Sequence, residues 1–289
     1  MTLRSLLARV ADHEGLNFVL SYWVPRRSLT RFVGWLAKIE QPIVRDVSIA
    51  VWRQFSDLDL SEAKKSTFRS LHDCFIRELK DGARPVDMRR EILASPSDAI
   101  VGASGTIADG VMLQVKGRSY ALSELVRDPE LVAAYRNGTY VTLRLTASMY
   151  HRFHAPHDAR IKSVSHIAGD TLNVNPPALQ RLDRVFCRNE RAVLCCHLDA
   201  GGHTITLVPV AAILVAGLRL NFLEMPRDRQ HADAWLRSCD VAVIKGQELG
   251  WFEHGSTIIV LAPPSFAICD GVTEGTTIRM GQALMKLPN

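Results

Sequence analysis

"GWFEHGSTIIVLAP", Gly250 to Pro263, runs from a polar turn straight into an apolar strand. Gly255-Ser256-Thr257 sits at the junction. The Ser256 hydroxyl therefore stands at the lip of a strand, behind the conformationally most permissive residue, Gly255. A β-turn accounts for such a triplet by itself, so the segments around it decide whether it does more.

Outward from that strand, the chain from about residue 92 onward is a series of short β-rich runs separated by turns. They include "AIVGASGTIADGVMLQV", "YVTLRLT", "ARIKSVSHIAGDTL", "RAVLCCHL", "HTITLVPVAAILVAGLRL" and "DVAVIKGQELGWF". Residues 124–136, "ELVRDPELVAAYR", predict a helical insert. Residues 1 to about 80 read differently. In "SLTRFVGWLAK", Leu29, Phe32, Val33 and Leu36 recur at i, i+3, i+4 and i+7, one face of a helix. "LSEAKKSTFRSLHDCFIREL" predicts a further helix, which Gly82 and Pro85 end. The expected fold class is α+β: a helical region over 1–80, then a β-rich body over 81–289.

The 289 residues are 47% hydrophobic and 22% charged, the balance of a folded protein with an ample core. The net charge of +5 favours anionic partners, whether membrane surface, nucleic acid or phosphorylated substrate. Six scattered cysteines form no C-x-x-C pair, which predicts free thiols rather than a disulfide framework or a zinc site. "MTLRSLLARVADHEG" predicts no signal peptide, and no run of 18 apolar residues predicts a bilayer-spanning helix. Up to residue 54 there are eight Lys or Arg against four Asp or Glu. A basic amphipathic helix carrying Phe32 and Trp35 suits a membrane interface, and it equally suits packing on the protein's own core.

Three polar stretches carry candidate chemistry: "SPSDAIV" with Asp98, "YHRFHAPHDARI" with His151, His154 and His157, and "HGST" with Ser256. Three histidines at this spacing share neither a helix face nor a strand face, and Pro156 disfavours a continuing helix, so no metal is expected. Asp, His and Ser suit an activated nucleophile, with the imidazole taking the hydroxyl proton and a carboxylate orienting the ring. The G-x-S-x-G elbow of a serine hydrolase is missing, because Ser256 leads into a strand.

Taken in order, the segments resemble the phosphatidylserine decarboxylases, from about residue 20 to 285. "FIRELKDGARPVD", "SPSDAIV", "QVKGRSYALSELV", "YHRFHAP", "VFCRNERAVL" and "KGQELGWFEHGST" each look like a family segment. Ala99 and Ala159 stand where the family usually has Gly, and His254 where Leu is most common.

The resemblance implies that the chain cleaves itself between Gly255 and Ser256, into residues 1–255 and 256–289. Ser256 is then the precursor of a covalent pyruvoyl cofactor and the Schiff-base site, whose carbonyl condenses with the substrate amine so that carbon dioxide leaves. Asp98 would orient His154, and His154 would take the Ser256 proton. His154, then His151, are the candidate proton donors after decarboxylation, and His151 is alternatively a substrate contact. The implied partners are phosphatidylserine in an anionic membrane, the two fragments of the chain itself and a second copy in a homodimer, with no nucleic acid. This context favours membrane contact for residues 1–55, peripheral and on the cytoplasmic face of the cell membrane. Two other readings remain open: a pyruvoyl enzyme for another amino-acid-like substrate, and an unprocessed, non-catalytic membrane-binding relative.

Overall fold

A computed structural model describes residues 26–113, 119–170, 172, 174, 183–212, 217–224, 235–253 and 256–288. Residues 1–25 of the expected membrane-contacting region lie outside the described residues, as do 114–118 of the "QVKGRSYALSELV" segment, His254 and Gly255.

Among the described residues three helices come first: α1 (Arg26–Ala37), α2 (Pro42–Phe55) and α3 (Leu71–Phe75). Pro42 suits the first turn of α2, where its missing N–H costs nothing. The helix ends at Ser56, whose N–H and hydroxyl both bond the Trp52 carbonyl. The helix expected over 60–79 is reduced to α3. Ser70 caps it, accepting from the Asp73 N–H at 3.1 Å. The preceding residues instead form a short ladder, with Lys64 N–H on the Glu78 carbonyl and Lys80 N–H on the Glu62 carbonyl, both 2.9 Å. Capping and ladder pairing override the local helical pattern there.

The body continues with β1 (Ile92–Ala94), β2 (Ala99–Thr106), β3 (Val111–Leu113), β4 (Ser119–Ala121), α4 (Leu122–Val126) and α5 (Pro129–Tyr135). The insert expected over 124–136 is thus two helices rather than one. Arg127 turns left-handed at φ 53°, and Asp128 caps a new start at Pro129 by accepting from the Glu130 and Leu131 N–H groups. Then follow β5 (Thr139–Leu145), β6 (Arg152–His154), β7 (Ala159–Ile167), α6 (Val185–Arg188), β8 (Arg191–Leu198), β9 (Thr204–Ala211), β10 (Leu218–Leu220), β11 (Trp235–Val243), β12 (Glu248–Phe252), β13 (Ser256–Ala262), β14 (Ala267–Ile268), β15 (Thr277–Ile278) and β16 (Ala283–Lys286).

Eight strands form one antiparallel sheet in the order β11-β7-β8-β9-β13-β5-β2-β15. Hydrophobic clusters cover both faces. Val101, Leu143, Ile258 and Val260 face one, and Tyr140, Val208, Ile259 and Leu261 the other. Double coverage is why β13 reads as an unbroken apolar run rather than an alternating one. The fold is α+β, as expected. Smaller sheets, β1-β16-β14 and β10-β12-β6, flank the main one and carry the polar segments to its end.

The helices use apolar surface differently. Ile49 and Trp52 of α2 pack with Leu58 and Leu60 on a small cluster of Ala63, Phe68 and Cys74. Phe32 and Trp35 of α1, and Ile43, Val47 and Val51 of α2, are exposed. No helix among the described residues is long and apolar enough to cross a membrane. All six cysteines are free.

Candidate active site

Ser256 opens β13, in register with Leu145 of β5 and Ala211 of β9. It is fully buried, and its Oγ has no hydrogen-bond partner among the described residues. A buried hydroxyl without a partner forfeits the hydrogen bonds water would give it, so the site holds a cost that ordinary folding would remove.

The backbone beside Ser256 is set by a polar segment that sequence reasoning quoted but did not use, Asn189-Glu190-Arg191. Asn189 is fully buried and donates to the carbonyls of Leu172 and Ala211, each at 2.8 Å, while the Ala211 N–H bonds the Glu190 carbonyl at 2.9 Å. Arg191 is buried too, and its guanidinium holds the carbonyls of Glu124, Leu125, Cys187 and Asn189. Burial pushes its pKa down to about 10. The end of β9, the strand neighbour of Ser256, is thereby pinned from behind.

His154 closes β6 and is buried. Its Nδ1 lies 2.9 Å from the Gly246 carbonyl, which only accepts, so Nδ1 carries the proton. That leaves the Nε2 lone pair to accept from the Tyr150 hydroxyl at 3.0 Å. Burial moves both groups the same way in effect: it lowers the His154 pKa and raises that of Tyr150, so both stay neutral. Gly246 turns at φ 83°, and a Cβ there would meet the Val86 side chain at 2.9 Å, so the carbonyl that orients the ring depends on glycine.

Asp98 is engaged elsewhere. It accepts from Arg84 Nε at 2.8 Å and Nη2 at 2.6 Å, and from the Met280 N–H at 2.9 Å. Arg84 also reaches Glu62 at 2.8 Å, and these carboxylates raise its pKa. The direct Asp98–His154 hydrogen bond that the resemblance implied is not formed among the described residues. Gly246 and Tyr150 orient the ring instead, while the His154 N–H bonds the Pro96 carbonyl at 2.8 Å, tying β6 to the Asp98 loop. His154 and Ser256 likewise share no hydrogen bond here.

His151 is fully buried. Its Nδ1 donates to the Met149 carbonyl at 2.9 Å, and its ring lies 4.0 Å from that of Phe75, which stacks in turn on Trp52 of α2. Buried Arg77 holds the same turn by donating to the Ser148 and Met149 carbonyls. His157 diverges from the other two histidines, its Nε2 bonding the Arg90 carbonyl at 2.8 Å. The two alanines that replace glycine, Ala99 and Ala159, begin β2 and β7 without positive φ, so neither is strained.

Fold and site together define a β-sheet protein with a buried, unpartnered serine at a strand lip and a neutral, oriented histidine near the same sheet end. Comparison with known sequences is more specific. The sequence model described as phosphatidylserine decarboxylase matches residues 71–286. A Haemophilus influenzae (strain KW20 / Rd) protein named phosphatidylserine decarboxylase proenzyme is 32% identical over 280 residues, covering 94% of this chain and 96% of its own. Proteins of the same name from Aliivibrio fischeri (strain ES114) and Xylella fastidiosa (strain 9a5c) are 33% and 34% identical, each over 93% of this chain and covering 96% and 94% of their own. The chain belongs to the phosphatidylserine decarboxylase family.

Proposed function

We propose that this chain is a proenzyme that cuts itself between Gly255 and Ser256 and then, as a pyruvoyl-dependent enzyme, converts phosphatidylserine to phosphatidylethanolamine and carbon dioxide. The observation that carries the reading is Ser256 itself: buried, without a hydrogen-bond partner, and first in the central strand. The word proenzyme in the relatives' names supports a processing step.

In the first step Ser256 Oγ attacks the Gly255 carbonyl carbon, the C–N bond between the two residues breaks, and an ester forms in place of the amide. Elimination across Cα–Cβ of residue 256 releases the Gly255 carboxylate. The dehydroalanine left behind takes up water and loses ammonia to become the pyruvoyl group. His154 Nε2 is the base, since Nδ1 is committed to Gly246. The Tyr150 hydroxyl occupies Nε2 at rest and must yield it. Asp98 acts by position: with Arg84 it anchors the loop whose Pro96 carbonyl holds the His154 backbone.

When formed, the pyruvoyl group supplies the electron sink for loss of carbon dioxide. The proton for the product comes first from His154, once Nε2 has taken one up, and second from His151. The exposed apolar residues of α1 and α2 support a peripheral placement on a membrane, with exposed Lys38 and Arg53 available to anionic headgroups, and the cytoplasmic face rests on the family resemblance. A homodimer rests on the family resemblance.

Intact-mass measurement tests the reading. Folded protein is expected as two fragments with a blocked N-terminus on the short one, and Ser256→Ala as a single 32.1 kDa species without activity. An uncut chain that still decarboxylates phosphatidylserine would overturn it. Assay against small amino acids separates the lipid substrate from an amino-acid-like one.

A further inference from the structure

Arg144 has no role in the site described above. It lies on β5 in register with Thr257 of β13 on one side and Ile100 of β2 on the other. Register partners in an antiparallel pair project to the same face, with Cβ atoms about 5 Å apart. The side chain is half-buried and, among the described residues, makes neither hydrogen bond nor ion pair. Burial lowers its pKa, and no carboxylate among the described residues opposes that. Thr257 is fully buried, and its Oγ1 also has no partner. By contrast, Arg77, Arg84, Arg152 and Arg191 all hold carbonyls or carboxylates. A partly desolvated guanidinium beside an unused hydroxyl, one residue past Ser256, is a site short of an anion.

We propose that Arg144 and Thr257 receive the phosphodiester of the substrate headgroup. The proposal rests on the decarboxylase reading and adds to it the group that holds the lipid in place. The substrate carboxylate is the poorer fit on energetic grounds. Its charge leaves it in the transition state, so a cation there would stabilise the ground state more and slow the reaction. The phosphodiester keeps its charge from substrate to product. It also sits only a few bonds from the amine, and an arginine side chain reaches past one strand spacing of about 4.8 Å. Ser256 and Thr257 face opposite sides of the strand. A cut ahead of Ser256 makes it a chain terminus, which a headgroup can approach from the face that bears Arg144. The guanidinium fork suits a phosphate, and Thr257 adds a neutral donor.

The experiment uses the full chain, with maturation checked by mass before phosphatidylserine is assayed in mixed micelles. Arg144→Gln is expected to mature normally and to raise KM by about tenfold or more while kcat changes little, the size of a lost charged hydrogen bond. Arg144→Lys is expected to recover part of the loss. On the unaltered mature protein, glycerophosphoserine and glycerophosphoethanolamine are expected to slow phenylglyoxal modification of Arg144, whereas serine does not. This second arm decides the matter should the variant misfold. Unchanged KM in a matured Arg144→Gln, a loss confined to kcat, or protection by serine equal to that by glycerophosphoserine would each overturn the phosphate site alone. An unaltered chain that neither cleaves nor decarboxylates would sink the decarboxylase reading, and this proposal with it.

Discussion

In α2, Ile43, Val47 and Val51 are 72, 57 and 49% exposed, whereas in β13 Ile258 to Ala262 are all 0% exposed. Both segments are rich in branched aliphatics, and they dispose of them oppositely. The strand lies between two hydrophobic clusters. Among the described residues, the helix has the small cluster around Phe68 and Cys74 beneath it and turns an apolar row outward. The family match begins at residue 71, past α2, while the relatives align over more than nine-tenths of the chain. Helix layer and body therefore answer to different demands: the body buries the candidate site residues, and the layer presents apolar surface.

Charge pairs sharpen the contrast first. Arg84→Met leaves the buried Asp98 carboxylate without its cation and is expected to cost about 3–5 kcal/mol in chemical denaturation, with self-cleavage impaired. Next, Ile259→Ala should cost about 2–5 kcal/mol, whereas Val47→Ala should cost less than about 0.5; equal losses would mean that α2 is core after all.

Replacing Ile43, Val47 and Val51 together by Ser should lower binding to anionic vesicles about tenfold or more in a sedimentation assay, with the melting temperature held. Retained binding would break the division between layer and body.

A pH effect follows. The His154 pKa is lower in the fold than its ordinary 6.5, so the unfolded chain takes the proton first. Its contribution to stability is thus complete above 6.5 and declines as pH falls through that value. As the proposed base, His154 stays neutral further down in the fold, so the acid limb of the self-cleavage rate should lie below 6.5 in a time course by gel. The smallest effect is expected at Asp46→Asn, which removes an exposed partner of Arg45 on α2 and should leave the melting temperature unmoved.

Much of the body was legible because apolar runs and turn residues are local signals. "STIIVLAP" contains β13, "RAVLCCHL" is β8, and "HTITLVP" holds most of β9. The helix over 60–79 was misread because its pattern is helical while its hydrogen bonds go to a ladder closed by Lys80. The insert broke at Arg127 through a left-handed turn that composition does not announce. In the site, Ser256, His154 and Asp98 stand in segments the resemblance picked out. Their partners were hidden, because the Gly246 carbonyl comes from a turn 92 residues away and a backbone oxygen has no sequence signature. Arg84 was visible in "DGARPVD", but only the fold turns it toward Asp98. Arg144 had no motif to mark it at all.

The stretch from Ser256 to the end of the chain supplies an interior strand of the large sheet, β13, its β15 edge, and two of the three strands of β1-β16-β14. A cut ahead of Ser256 thus leaves a short piece woven through two sheets that it cannot leave while they stand. If mature protein is melted, the two pieces part, and recovery becomes a second-order encounter that slows on dilution, whereas an uncut chain recloses on itself. Maturation would then act as a ratchet: the order of synthesis, folding and scission is written into the product and cannot be replayed from its parts.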